Sequence, residues 1–450
     1  MKKCVLSALA SILVVSASAQ WLPQNAGFTN DTLGFYEMSL PNDSTVWAIC
    51  YDGKGGLSSP RLILDFTRTT NGGQNWVVGK VGTDTTLGFS NISAVSNNEA
   101  WVAMHKRSGT GGGLYHTTDG GITWSQSGAG VIFDANSFPD FVHFRDKDHG
   151  VAMGDPNGGS FEIYTTDNGG ISWQRVPQQN MPATLTNEYG WISGFYAVGN
   201  MIWFGTTSGR IWRSVNFGKD WTAHVADPGG KFINEIAFND DGLHGVAHLR
   251  NNQGATFLYA TSDGGITWTA VGQPAYWKRS RITAVPGTNA LVSTAVIASD
   301  RGSALSYDNG ATWTTIDNTI LMAVSRFYNA STGYAGSFFI TGPPFNPGIY
   351  KSQITFQLPV SIPGMQAAEN LVKVYPTSAN DVINISFAED QANITSMISV
   401  LSLDAKVLES KKSTGAKLVQ LNVDRLPPGM YMIRVSSNDK TVSQAITISR

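Results

Sequence analysis

The sequence predicts an all-β protein in two parts, a seven-bladed β-propeller followed by a small C-terminal β-sandwich. Three observations carry that prediction. One eight-residue pattern, Ser/Thr-x-Asp/Asn-x-Gly-x-x-Trp, occurs six times, its tryptophans standing 48, 49, 48, 47 and 45 residues apart. Short apolar runs separated by Gly and Asn turns fill each interval, four strands to a period, and four-stranded sheets repeated every 40 to 50 residues or so are the blades of a propeller. Composition agrees. Charged residues are 14% of the 450, against about 25% in an ordinary soluble domain, while Gly reaches 48 and Trp 13. Such a chain lacks the charged faces of helical bundles and favours short strands and tight turns. With 31 basic and 33 acidic residues the net charge is −2, which excludes a polybasic nucleic-acid binder.

The N-terminus comes first in order. Met1-Lys2-Lys3, an apolar run over 5–15 and the small residues Ala17 and Ala19 read as a secretory signal over 1–19, cut after Ala19. The run is shorter than the 20 or so residues a bilayer span needs, and no later segment is apolar enough to cross one. Removal of the signal would leave Cys50 as the one cysteine, so no internal disulfide is expected.

Each of the six copies then reads as a hairpin. A strand ends at the Ser or Thr, and the Asp or Asn side chain accepts bonds from backbone N–H groups further round the turn. The glycine takes a backbone angle that a side chain would resist, and the Trp starts the returning strand and buries its ring against its own hairpin. The residues so placed are Asn71 with Trp76, Asp119 with Trp124, Asn168 with Trp173, Asn216 with Trp221, Asp263 with Trp268, and Asp308 with Trp313. The pattern resembles the Asp-box (BNR) repeat at all six places, and its acids are expected to be structural.

A seventh, degenerate blade is expected over 324–356, where Phe356 stands 43 residues past Trp313 but the Asp and Gly are gone. Trp21 has no box ahead of it. It reads as the last strand of that seventh blade, contributed from the other end of the propeller to close the ring and cover its edges. Eight blades is the alternative count. The propeller is assigned 20–357 and a turn-rich linker 358–369.

Residues 370–450 change character, with alternating Val, Ile, Leu and Ser/Thr and no Trp. Strands are expected at 372–375, 382–387, 398–401, 418–421, 430–435 and 442–448, a small sandwich. The order Val374-Tyr375-Pro376, Ser402 to Val407 and Leu426-x-x-Gly429-x-Tyr431 is similar to the type A sorting domain of the type IX secretion system. Thr377-Ser378 and Ala405 depart from the family's usual residues. The resemblance implies the type IX machinery as a partner and a secreted or outer-surface location in a Gram-negative bacterium. An immunoglobulin-like adhesive module is the alternative.

Catalytic chemistry finds little support. Asp-box propellers include sialidases, but the Arg-Ile-Pro signature of that family is absent, and Phe144-Arg145-Asp146 reads as a strand-to-turn junction with a salt-bridged Arg. Other glycosidases need two facing carboxylates. Asp140, Glu188 and Glu235 begin first strands, which converge on a propeller's central funnel, and are the candidates, against the plainer reading of hydrogen-bonded pore-lining acids. Gly109 to Leu114 lacks the third glycine and the helix of a dinucleotide site. His244 and His248 read as surface residues, with no third ligand for a metal, and Asp155-Pro156-Asn157-Gly158-Gly159 as a turn with too few acids for calcium. Neither cofactor nor metal is expected.

Gly154-Asp155-Pro156, the Glu188 strand and the run from Arg279 to Gly287 resemble a bacterial group related to photosystem II assembly-factor propellers, which implies a propeller that binds a partner at its funnel. The expectation is therefore an exported, non-catalytic, monomeric binding protein for a glycan or protein ligand, with Arg145, Trp191, Trp277 and Arg281 as binding residues. The alternative is a secreted glycoside hydrolase, sialidase-like or endoglucanase-like.

Overall fold

The computed structural model describes residues 20–30, 32–53, 61–128, 131–337, 348–357, 372–375, 378–379, 381–387, 395–402, 407–437 and 440–448. The expected signal at 1–19, the linker at 358–369 and the stretches Pro376-Thr377 and 403–406 lie outside them.

Seven four-stranded antiparallel sheets make up the propeller. Their innermost strands are Leu33–Ser39, Leu87–Ala94, Pro139–Phe144, Gly190–Val198, Phe232–Phe238, Arg281–Ala284 and Met322–Asn329. Each packs against the next, and Met322–Asn329 against Leu33–Ser39 completes the circle. The seventh sheet takes its outermost strand from the other end of the propeller: Trp21–Asn25 pairs with Gly348–Ser352, Trp21 opposite Ser352. That pairing closes the ring and covers the edge of Gly348–Ser352, giving the last blade four strands like the others.

The six boxes join third to fourth strands at the outer part of blades 1 to 6. In each, the acid or amide oxygen accepts the N–H four residues on, as Asp119 does from Thr123 at 2.9 Å and Asn168 from Ser172 at 3.0 Å. The leading hydroxyl accepts the glycine N–H, Thr117 from Gly121 at 2.9 Å and Thr166 from Gly170 at 3.0 Å. The tryptophans hold their own hairpins as expected, Trp221, Trp268 and Trp313 donating to their box glycine carbonyls at 2.9, 3.0 and 2.9 Å, and others also reach beyond them. Trp124 lies edge-on to Trp47 of the preceding blade at 6.2 Å, Trp173 to Trp101 at 6.0 Å and Trp76 to Tyr334 at 6.1 Å. The box glycines press on the same seams. Gly121 has φ +86° and a Cβ there would stand 2.3 Å from Phe66, while Gly170, at φ +74°, would stand 2.3 Å from Trp101. The box is thus a wedge between blades as well as a turn.

Nearer the axis, side chains bond the innermost strands of neighbouring blades to each other. Asn91 donates to Val142 O at 2.8 Å and accepts from Val142 N at 2.9 Å, and Ser93 accepts from Phe144 N at 2.9 Å.

The C-terminal part is a sandwich of two sheets. One holds Val372–Tyr375, Val382–Phe387 and Leu418–Asn422; the other holds Ser378–Ala379, Lys440–Ile448, Gly429–Ser437, Thr395–Leu401 and Val407–Thr414. Its core includes Ile383, Ile385, Ile398, Val400 and Ile433, with Tyr431 buried among them. The Tyr431 hydroxyl donates back to Pro427 O at 2.8 Å, which fixes the turn of the Leu-x-x-Gly-x-Tyr stretch.

Candidate functional site: the two mouths of the propeller channel

Five innermost strands carry one extra residue outside the strand register near their start: Tyr36, Ser90, Asp140, Asn234 and Ala323. Blade 4 is looser still. Gly190 pairs with Thr206 and Phe195 with Phe204, so three extra residues lie between them. Bulges of this kind raise local twist and re-aim side chains, and Tyr36, Asn234 and Ala323 line a cavity of about 460 Å³ where the strands begin.

The same cavity is lined by Tyr51, His248, Arg250, Arg279 and Arg281, with Val296 and Ile297 on its flank and no carboxylate among its lining residues. Arg279 Nε lies 3.2 Å from Asp300. Arg250 is exposed, and among the described residues its guanidinium has no hydrogen-bond or ion-pair partner. His248, expected at the surface, is 2% exposed. The middle strand of a blade is covered on both faces, so alternation does not bring this ring to solvent. Burial pushes its pKa down to about 3, leaving it neutral, and Nε2 meets no partner among the described residues.

The floor is an ion network drawn from four blades. Glu235, 2% exposed, accepts from Arg281 Nη1 at 2.8 Å. Arg326 Nη2 reaches Glu37 at 2.7 Å and Glu235 at 3.7 Å. Burial raises Glu235 to about 7 against the pull of both arginines. Burial opposes the charge on Arg281, but Glu235, Glu37 and Tyr36 together outweigh it and hold the guanidinium protonated.

The strand ends form a second mouth, of about 520 Å³, lined among others by Glu37, His143, Asp146, Tyr196 and Arg326. Arg145 belongs here, across the channel from Arg281. It lies 3.2 Å from Asp146, covers the Phe217 ring at 4.5 Å and donates to Asn200.

The three candidate carboxylates are each engaged separately. Glu188 is 1% exposed. Its oxygens accept from Arg210, from Thr206 Oγ1 at 2.8 Å and from Leu185 N at 2.9 Å. Burial pushes this carboxyl up, and those donors more than reverse the effect and hold it ionised. Asp140, 1% exposed, lies beside Asp155, and burial and then the Asp155 charge push it well above the carboxylate range. Asp155, read from sequence as part of a turn, is thereby a buried acid's partner. Glu235 is the network's centre.

Trp191 is part-exposed and runs parallel to Phe232 at 6.1 Å. Trp277, expected as an exposed ring, is 3% exposed and meets His248 edge-on at 5.3 Å. Sequence reasoning missed Glu37, Arg250 and Arg326. None of the three stands at the 28-residue interval ahead of its box that Asn91, Asp140 and Glu235 share (Asp119, Asn168, Asp263).

Residues 373–449 match the secretion system C-terminal sorting domain family, and residues 115–126, within the second box hairpin, match the BNR/Asp-box repeat. Among solved structures the chain is similar to YCF48 bound to a D1 peptide, at 15% identity and a TM-score of 0.50, over 75% of this chain and 97% of that one. It is similar as well to YCF48 from Cyanidioschyzon merolae, at 16% identity and a TM-score of 0.47, over 74% and 98%. A GH74 enzyme of Niastella koreensis aligns at 12% identity and a TM-score of 0.45, over 93% and 66%. No curated protein matches significantly in sequence. At these identities the likeness is one of fold. The chain is an Asp-box propeller carrying a type IX secretion sorting domain, which directs it to the outside or the outer surface of the cell. Among the described residues no helix is long and apolar enough to cross a membrane.

Proposed function

We propose that the protein is a non-catalytic binding propeller, exported after loss of residues 1–19, that takes a glycan or protein ligand as a monomer at the mouth where its innermost strands begin. The observation that carries this reading is the state of its carboxylates. Hydrolysis of a glycoside needs two acids about 5–10 Å apart across a substrate. Here Glu188 is saturated by Arg210, Thr206 and Leu185 N–H, Asp140 is sealed against Asp155, and Glu235 is held by Arg281 and Arg326. Glu235 and Asp140 can hold protons but are 2% and 1% exposed, and Glu188 is 1% exposed and closed by its donors, so none reaches a leaving group or a water on a bound sugar.

Charge favours an anionic group on the ligand. Three arginines and a neutral histidine line the mouth, in a protein of net charge −2. Guanidinium groups pair carboxylates and phosphates in two-point geometry. The peptide-bound state of YCF48, a protein of the same fold, supports a peptide chain as one source of such a group.

The test is a glycan array and a panel of acidic and neutral peptides on the mature chain, run beside a hydrolysis screen. Binding without turnover is expected. Turnover of any sugar, abolished by Glu188→Gln or Asp140→Asn, would replace this reading by a hydrolase.

A further inference from the structure

We propose that Asp140 and Asp155 form a proton-operated latch that holds the Trp191 bulge of blade 4 against the ligand mouth, closed in mild acid and released as pH rises. The idea concerns regulation of the binding site proposed above and rests on that reading for its purpose, though not for its test.

Both acids are extra residues at breaks in strand register. Asp140 falls between Pro139 and Phe141, opposite Gly154 and Met153, and Asp155 falls between Gly154 and Pro156 on the neighbouring strand. A bulged residue is freed from the ladder, and here both freed carboxyls converge on Gly190, whose N–H Asp155 accepts and whose Cα Asp140 Oδ2 faces. Asp140 is 1% exposed, and its Oδ2 receives no N–H or O–H from any other described group. Two ionised carboxylates cannot share such contact, because their repulsion in a dry site is unscreened. One proton must lie between them.

The pair is fastened to the next blade. Asp155 Oδ1 accepts from Gly190 N at 2.7 Å. A Cβ on Gly190 would stand 2.5 Å from Asp140 Oδ2, so this approach requires glycine. Gly190 opens the three-residue insertion that carries Trp191. Trp191 lies parallel to Phe232, and Phe232 pairs in register with Arg250, which lines the mouth. The contacts thus run unbroken from the acids to the one mouth arginine without a partner among the described residues.

Other titratable groups around the pair are already committed. From blade 2, His105 is bonded to Ser90 at 3.0 Å, and burial, with Arg107 adding to it, pushes it down to about 4, so it is neutral. From blade 4, Glu188 is closed on Arg210. Asp155 is the charge that acts on Asp140. Burial raises Asp155 to about 6, against the Gly190 N–H bond. Loss of the shared proton to solvent leaves two negative charges facing each other. Asp155 relieves them by turning to water, which frees Gly190 N–H and slackens the bulge.

Hydrogen exchange of the intact mature chain tests this without any ligand. After correction for intrinsic rates, amides 190–194 should lose protection by about tenfold or more between pH 5 and pH 8, as expected of a local opening, while the box amide of Thr123 should not change. Asp140→Asn keeps a hydrogen bond without a shared proton and should remove the pH dependence; Asp155→Asn serves if that variant does not fold. Protection at 190–194 that is the same at both pH values, or that falls equally in the Asn variant, would overturn the latch. A latch that responds in a protein that captures no ligand would leave this inference standing and sink the binding reading alone.

Discussion

The indole N–H of Trp21 donates to Ser303 Oγ at 2.9 Å across 282 positions of the chain. Trp21 therefore fastens the closing strand sideways to blade 6 while its backbone pairs within blade 7. The ring is sealed by one residue in two directions.

Trp21→Ala should cost about 3–5 kcal/mol, the usual range for deleting a buried large aromatic, because Trp21 is 3% exposed among Val285, Phe327 and Phe356. The exposed edge of Gly348–Ser352 should also promote self-association. Denaturant unfolding and light scattering check both. An unchanged unfolding midpoint would mean that closure is unimportant to stability.

Within a box, the acid and the glycine should respond differently. Asp263→Asn should be nearly neutral, since Asn71, Asn168 and Asn216 make the same bond to the N–H four residues on. Asp263→Ala strands the Thr267 N–H and Thr267 hydroxyl that it accepts from and should cost about 1 kcal/mol. Gly170→Ala should be worse, about 2 kcal/mol or more, because φ +74° and the contact with Trp101 both oppose a Cβ. Thermal unfolding of the three variants should rank them in that order.

Stability should peak in mild acid. Burial raises Asp155 to about 6 and Glu235 to about 7, and Asp140 higher than its ordinary value. In the folded state these groups hold protons that the unfolded chain has released. Their contribution is complete below ordinary carboxylate values and is lost as pH rises through about 6 to 7. The box acids act in the opposite sense. Bonds from the Thr123 hydroxyl and N–H lower Asp119 to about 2, so its contribution is lost only as pH falls toward that value. The midpoint temperature should therefore be highest near about pH 4–5, with Asp140→Asn flattening the alkaline side. A midpoint that climbs steadily from pH 5 to pH 8 would contradict the assignment.

The boxes were legible because each is a local hairpin whose bonds join residues two to four apart, as Thr117, Asp119 and Thr123 do. Closure by Trp21 was legible because its spacing placed a fourth strand where the seventh blade lacked one. The ion network was not, since Glu235 meets Arg281 from blade 6 and Arg326 from blade 7, and Arg326 meets Glu37 of blade 1 only once the ring closes. The carboxyl pair was hidden for another reason. Asp155 stands in a run of turn residues, and its burial comes from two register breaks that no periodicity records. His248 and Trp277 were misplaced toward solvent because covering by a neighbouring blade leaves no mark in their own segment.

The ligand should sit at the mouth lined by Arg250, Arg279 and Arg281. Titration calorimetry of the mature chain with whatever glycan or peptide the panel identifies, repeated with Arg250→Glu and Arg145→Glu, addresses that directly. Arg250→Glu should weaken binding by about a hundredfold, a reversal of charge at a guanidinium contact, while Arg145→Glu, on the opposite mouth, should leave it within about twofold. Loss of binding with Arg145→Glu and retention with Arg250→Glu would place the ligand at the other end of the channel and contradict the account.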